Sequence, residues 1–281
     1  MGIINVTPDS FSDGGVHFDR VKAIEAAVRM EEDGAELIDV GGESTRPGSD
    51  PVSVEEELDR VVPVIEGIRR RSAVKISVDT RKARVAAAAL DAGADIVNDV
   101  SALRHDPGLR VLVAARGVPV ILMHMRGEPR TMQQNIHYDD VVRDVSAELT
   151  SWRDEAIAAG IAAERILVDP GIGFGKTFDH NLELLAHCDE LTRIAPVVIG
   201  ASRKAFVGHL TGQPGGAPRM AGSLAAVAAA HKGNAAIVRV HDVRETVDFL
   251  KVLTAIDEKN PSNQQPATSN RDAREARGAH R

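Results

Sequence analysis

Short apolar runs alternate along the chain with longer segments whose apolar residues recur at helical spacing. Runs this short, with helical patterns on either side, predict strands buried on both faces of a sheet. They fall at residues 1–7, 35–40, 74–78, 95–97, 119–123, 166–168, 197–199 and 235–238. Between them the spacing predicts helices over 19–33, 53–71, 82–91, 107–117, 138–159, 181–194 and 246–256. Another helix follows Lys204, is broken by a Gly/Pro-rich insert at 211–218, and resumes to His231. Gly34, Gly93, Gly117 and Gly160 mark helix ends, and Ser53 with Glu56 three residues on resembles a capping box. Eight strand–helix units without a linker predict an α/β fold: a single (β/α)8 TIM barrel over residues 1–257. A doubly wound sheet is the competing architecture. Its nucleotide signature would be a Gly-rich turn after the first strand, and residues 5–13 contain no glycine. The glycines at 171, 173 and 175 follow the sixth strand, outside that context. Residues 258–281 are polar, with almost no large apolar side chain, and are expected to form a disordered tail.

Composition narrows the class. The chain is 43% hydrophobic but only 3% aromatic, so its core must be aliphatic and rich in alanine. A net charge of −7 argues against a nucleic-acid or anionic-membrane partner. Cys188 is the only cysteine, which excludes an intrachain disulfide and fits a reducing, cytoplasmic compartment. No apolar run approaches the ~18 residues of a membrane span, and no signal peptide opens the sequence.

Candidate chemistry lies at the strand ends, which in a barrel of this kind face one rim. They carry Asn5, Asp39, Asp79, Asn98, His124, Asp169, Lys204, Arg239 and His241. Any one of these could be a cap or a solvated charge; the set converges on a single mouth. Asp39, Asp79, Asn98, Asp169 and Lys204 suit a flat heterocycle with donor and acceptor edges, because each buried polar group needs a partner. Thr45, Arg46, Arg239 and His241 supply donors and cations, with only Glu43 and Asp242 as nearby acids. That suits an anion such as phosphate. The expected substrate is therefore a phosphorylated heterocycle. No HExxH pair, Cys–His cluster or nucleophile elbow competes with this reading.

Residues 1–15 (MGIINVTPDSFSDGG) and 38–48 (IDVGGESTRPG) resemble the two signature segments of the dihydropteroate synthase family. Residues 77–80, 98–100, 169–176, 202–204 and 239–243 are similar to that family in the same order, so the likeness spans about residues 1–257. The resemblance implies a pterin-binding barrel that joins dihydropterin-6-ylmethyl diphosphate to p-aminobenzoate, a sulfonamide target acting as a homodimer. It assigns the pterin to Asp79, Asn98, Met123, Asp169, Gly200 and Lys204, and diphosphate to Thr45, Arg46, Arg239 and His241. Asn5 becomes the protein ligand of Mg2+, and Asp39 a carboxylate facing the pterin or a cation. Phe11, Pro47 and Phe174 become walls of the p-aminobenzoate pocket. The implied mechanism is dissociative: diphosphate leaves, and the neutral arylamine attacks a pterin-methyl cation. Relatives often carry Ser after the lysine where this chain has Ala205, which leaves the p-aminobenzoate carboxylate to Ser202 and backbone N–H groups. The competing functions are a pterin-dependent methyltransferase of the same fold, a non-catalytic pterin-binding protein and another phosphate-binding barrel enzyme. The Ser202–Lys204 and Arg239–His241 segments favour the synthase over the methyltransferase.

Overall fold

β-Branched and aliphatic residues dominate the short runs, and each becomes a strand with a helix behind it. A computed structural model describes residues 1–7, 15–46 and 48–259. Its strands are β1 (Gly2–Asn5), β2 (Leu37–Gly41), β3 (Lys75–Asp79), β4 (Ile96–Asp99), β5 (Val120–Met123), β6 (Ile166–Asp169), β7 (Val198–Ile199) and β8 (Ile237–Val238). β1 to β6 pair in parallel in sequence order, and β7 pairs with β8. Parallel bridges Val168–Val197 and Gly2–Val240 join the two sheets at both seams. The Val168 N–H donates to Pro196 O at 3.0 Å and the Val240 N–H to Met1 O at 2.9 Å, so the eight strands close into a barrel.

The helices are α1 (Gly15–Glu32), α2 (Val54–Arg69), α3 (Ala83–Asp91), α4 (Pro107–Arg116), α5 (Val141–Ala158), α6 (Phe178–Ala186), α7 (Cys188–Leu191), α8 (Ala205–Thr211), α9 (Met220–Lys232) and α10 (Val243–Asp257). The expected helix over 181–194 is two pieces. α6 starts early on a reciprocal capping box between Thr177 and His180, and His187 breaks the run with a non-helical backbone. At α2 only half of the expected box forms: Ser53 Oγ accepts the Glu56 N–H, while the Glu56 carboxylate turns to Arg60. α5 begins at Val141 rather than 138, because the Asp140 carboxylate caps it and Tyr138 reaches out to donate to Gly175 O at 3.0 Å.

The aliphatic core fills the space between strands and helices, with Ile38, Val40, Ile76, Val78, Val97, Leu122, Ile166 and Val168 buried. Side chains of a strand alternate between faces, so burying Ile38, Val40, Ile76 and Val78 against helices turns Asp39, Ser77 and Asp79 into the barrel. Register places Asp39 beside Ser77, and Asp79 between Gly41 and Asn98. That alternation positions the polar cluster described next. No helix among the described residues is long and apolar enough to cross a membrane. Phe11, Pro47 and the expected tail lie outside the described residues, apart from its first two positions, Glu258 and Lys259, which close α10.

Candidate active site

The deepest polar layer is built on one cation. Arg239, directly after β8, donates from Nε to Asp39 Oδ2 at 2.6 Å and from Nη2 to Asp79 Oδ2 at 3.1 Å. Asn98 Nδ2 donates to both oxygens of Asp39 at 3.3 and 3.4 Å. Asp39 is fully buried, so the guanidinium is its necessary counter-charge. Burial and the neighbouring Asp39 push the Asp79 carboxyl up to about 8, although Arg239 pulls it the other way. The expectation of a cation group without close acids is therefore corrected for Arg239. It stands among the acids of the heterocycle side, because β8 closes the barrel on β1, next to which β2 and β3 bring Asp39 and Asp79 inward.

Above this layer lies a pocket lined by Thr45, Asp79, Asn98, Val100, Met123, Asp169, Gly171, Ile172, Phe174, Gly200, Lys204 and Arg239. All six residues that the resemblance assigns to a pterin are in it. Asp169 ends β6, and its Oδ1 accepts the Gly171 N–H at 2.7 Å while Oδ2 faces Gly200. Burial raises the Asp169 carboxyl above its ordinary range. Lys204 holds its Nζ 4.1 Å over the Phe174 ring and forms no ion pair with Asp169 among the described residues, each acting on the other only through its charge. Burial and the Arg239 charge push the Lys204 ammonium down to about 8. An acid and a cation that face a cavity without pairing leave one acceptor and one donor open to a ligand. Gly171 (φ +67°) must be glycine: a Cβ there would lie 2.0 Å from the carbonyl oxygen of His124.

The second donor group sits at the rim. His241 Nδ1 lies 3.0 Å from Ser202 Oγ, and the His241 N–H donates to the same oxygen at 3.2 Å. Burial, with Arg203 and Arg239 nearby, pushes the His241 imidazole down to about 4, so it is neutral at pH 7. In the tautomer where the Ser202 hydroxyl donates to Nδ1, the imidazole proton sits on Nε2 and is available to an anion. In either tautomer Ser202 Oγ is engaged by His241. The two rim acids are likewise occupied. Arg203 binds Asp242 through two nitrogens at 3.0 and 2.5 Å, and Glu43 is held by Lys82 at 3.1 Å and Arg81 at 3.3 Å. The Arg46 guanidinium makes no hydrogen bond or ion pair with another described residue and stays exposed. Asn5 is half-buried at the end of β1, its amide unpartnered among the described residues.

His124 is not part of the mouth. It is fully buried behind the pocket wall, stacked on Trp152 at 5.2 Å between ring centroids. Its Nε2 meets Glu148 Oε2 at 3.1 Å, and its Nδ1 meets Lys176 Nζ at 3.0 Å. Burial and the Lys176 charge push this imidazole down to about 3, which fits a neutral ring donating to Glu148 and accepting from Lys176. The Lys176 ammonium also donates to the carbonyls of Phe174 (3.0 Å) and His124 (3.3 Å), bracing the loop that carries Gly171 and Phe174. Gly171 and Ile172 as pocket lining were missed from sequence. Their signal was the glycine run after β6, which is a backbone approach to a pocket rather than a nucleotide turn.

The sequence pattern of a family described as "Pterin binding enzyme" matches residues 1–241. The dihydropteroate synthase of Escherichia coli strain K12 is 48% identical over 256 residues, covering 91% of this chain and 90% of that protein. The solved dihydropteroate synthase of Xanthomonas albilineans with 4-aminobenzoic acid superposes with a TM-score of 0.86 at 49% identity, covering 93% of both chains. That of Yersinia pestis in a sulfonamide drug complex gives 0.86 at 48% identity, covering 92% of this chain and 94% of that one. With a closed eight-stranded barrel and one pocket holding every pterin-assigned residue, this chain belongs to the pterin-binding enzyme family, among its dihydropteroate synthases.

Proposed function

We propose that the chain condenses 7,8-dihydropterin-6-ylmethyl diphosphate with p-aminobenzoate, giving 7,8-dihydropteroate and diphosphate. The observation that carries this reading is the division of the mouth: Asp169 and Lys204, without ion-pair partners among the described residues, line the pocket with Gly200, while Thr45, Arg46 and His241 offer donors towards its rim. In the pocket, Asp169 accepts from the aminopyrimidinone N–H edge and Lys204 donates to the ring's acceptor side; Asn98 and Asp79 complete the edge contacts. At the rim, neutral His241 and cationic Arg46 receive the diphosphate. The reaction breaks the C–O bond of the methylene group, and its electron pair leaves with diphosphate. The lone pair of the arylamine then forms the C–N bond, and its proton is lost to solvent. Donors gain strength as negative charge collects on the leaving group. Asp39, bound to Arg239 and Asn98 below the pocket, reaches the pterin only through those two residues. Phe174 forms a wall for the arylamine.

Mg2+ fits this donor set. The ion keeps most of its waters and takes charged ligands from phosphates, so it asks little of the protein. No cluster of three or more His, Cys, Asp or Glu residues suited to a metal exists among the described residues, whereas Asn5 offers one neutral, uncommitted oxygen. When bound, the ion supplies charge that stabilises departing diphosphate. Exposed Phe178, Leu182 and Leu210 gather where α6 meets α8, with Phe178 packed on His209 at 4.4 Å, and we read this apolar face as the homodimer contact. Buried Cys188, its thiol pushed up to about 11, suits a cytoplasmic enzyme. The deciding experiment mixes pure protein, Mg2+, the pterin diphosphate and p-aminobenzoate. Release of diphosphate that requires the arylamine is expected, and none would overturn the reading.

A further inference from the structure

Residues 43–52 leave β2 and return to α2, and they carry Thr45 and Arg46. The Arg46 guanidinium has no partner among the described residues, so within them it is its backbone that sets its position. That backbone is gathered at its base by one side chain. Lys82 Nζ, on the loop after β3, donates to Glu43 Oε2 at 3.1 Å where the segment starts and to Val52 O at 2.7 Å where it ends. Its third donor goes to Glu57 Oε2 on α2 at 2.5 Å, so the ammonium's hydrogen-bonding capacity is complete. Glu43 doubles the tie, because its Oε1 accepts the Val52 N–H at 3.2 Å and Arg81 Nη2 at 3.3 Å.

The tie is anchored below and above. Glu57 is fully buried, and Arg60 Nη1 donates to Gly42 O at 2.7 Å, so the floor of the segment is fixed to α2. A Cβ on Gly42 would lie 2.8 Å from Val61, which shows how closely that floor is packed. Within the segment, Ser49 Oγ lies within hydrogen-bond distance of the carbonyls of Ser44 (2.6 Å) and Arg46 (2.8 Å), and its one proton goes to either of them. A segment whose two ends are held loses less conformational freedom when an anion orders it.

We propose that Lys82 and Glu43 are positioning residues: by tying both ends of residues 43–52 they set where Thr45 and Arg46 stand for diphosphate. This rests on the assignment of Thr45 and Arg46 to the anion. Glu43 lies inside the second signature segment, yet nothing in the reaction itself uses its carboxylate.

The test compares Lys82→Met with the parent, using calorimetry with two probes: inorganic diphosphate with Mg2+, and a dihydropterin lacking diphosphate. The expected result is a loss of diphosphate affinity of about tenfold, with pterin affinity changed by less than about twofold. Turnover should fall with it, and Lys82→Arg should restore part of both. A brace that serves stability alone would lower the melting temperature and leave the two affinities in their parent ratio, which overturns the proposal. Should Lys82→Met fail to fold, Glu43→Gln keeps the Lys82–Glu57 pair and is measured in the same way. An unchanged ratio in that variant also overturns it. Adding either change to Arg46→Ala should cost little further diphosphate affinity, because the effect passes through the loop; a full additional loss would show a different route. If Arg46→Ala alone leaves diphosphate affinity intact, the anion assignment itself is wrong and the proposal falls with it.

Discussion

At the scale of single residues, Asp169 and Arg239 show two opposite uses of a buried charge. Asp169 has no ion-pair partner among the described residues, accepts one backbone N–H at 2.7 Å, and carries a pKa raised by burial. A folded-state pKa above the unfolded value means that the folded chain binds this proton more tightly. Stability is then lost as pH rises past the unfolded value of about 3.9. Asp169→Asn keeps the oxygen for Gly171 and removes the charge. At pH 8 it should melt at or above the parent temperature, yet show no pterin binding by calorimetry, because its amide meets the ligand's N–H edge with donors. A variant that unfolds easily but still binds pterin would assign Asp169 to structure. Arg239 is the reverse case. Its removal leaves fully buried Asp39 and neighbouring Asp79 uncompensated, with a cost of roughly 3–5 kcal/mol. Arg239→Ala should therefore weaken both folding and turnover, and the stability loss in urea should shrink from pH 8 to pH 5 as Asp79 protonates. A loss independent of pH would remove the charge pairing from the explanation.

At the scale of elements, the strands were readable because each is a short apolar run closed by a polar residue, and β2 and β3 also orient Asp39 and Asp79 through their alternation. Helix limits depended on side chains that reach beyond the local pattern. Asp140, not Tyr138, opens α5, and Thr177 with His180 opens α6 three residues before the expected start. The pairing of Arg239 with two acids and the withdrawal of His124 behind the wall are contacts between distant segments, which no local pattern contains. The same holds for Lys82, whose three acceptors come from residues 43, 52 and 57. The cap at Thr177 permits a direct measurement. Thr177→Ala removes the acceptor of the His180 N–H (3.1 Å) and should lower unfolding stability by about 1 kcal/mol. Because α6 follows the glycine loop that carries Phe174, the Michaelis constant for p-aminobenzoate should rise more than that for the pterin diphosphate. Equal changes in both would show that the cap stabilises the helix without reaching the loop.

At the scale of the whole molecule, buried titrating groups pull the stability profile in opposite directions. His124 and His241 are held neutral, with pKa values pushed down to about 3 and 4, and must take up protons on unfolding below about pH 6.5. Their contribution therefore rises with pH across that range. Asp79, pushed up to about 8, works the other way: the folded chain keeps a proton that the unfolded chain has already lost above about pH 3.9. Raised Asp99 and Asp169 act in the same direction as Asp79. Between about pH 4.5 and 6.5 the two sets oppose each other, so parent stability should vary little there and fall steeply below about pH 4. Below that point the raised acids are protonated in both states, while His124 and Glu148, the latter held down to about 2 by His124 and Arg126 against its burial, still favour unfolding as acid is added. Asp79→Asn separates the two sets. It deletes one opposing group, so the difference in stability from the parent should be small at pH 4 and grow in the variant's favour towards pH 8. The growth should be on the order of a few kcal/mol. Loss of the 3.1 Å bond to Arg239 adds an offset that does not depend on pH, which makes the slope of the difference, not its absolute value, the quantity to read. Urea unfolding at pH 4, 6 and 8 measures it. A flat difference would mean that Asp79 is ionised in the folded barrel throughout this range, and that Arg239 carries both acids as charged partners.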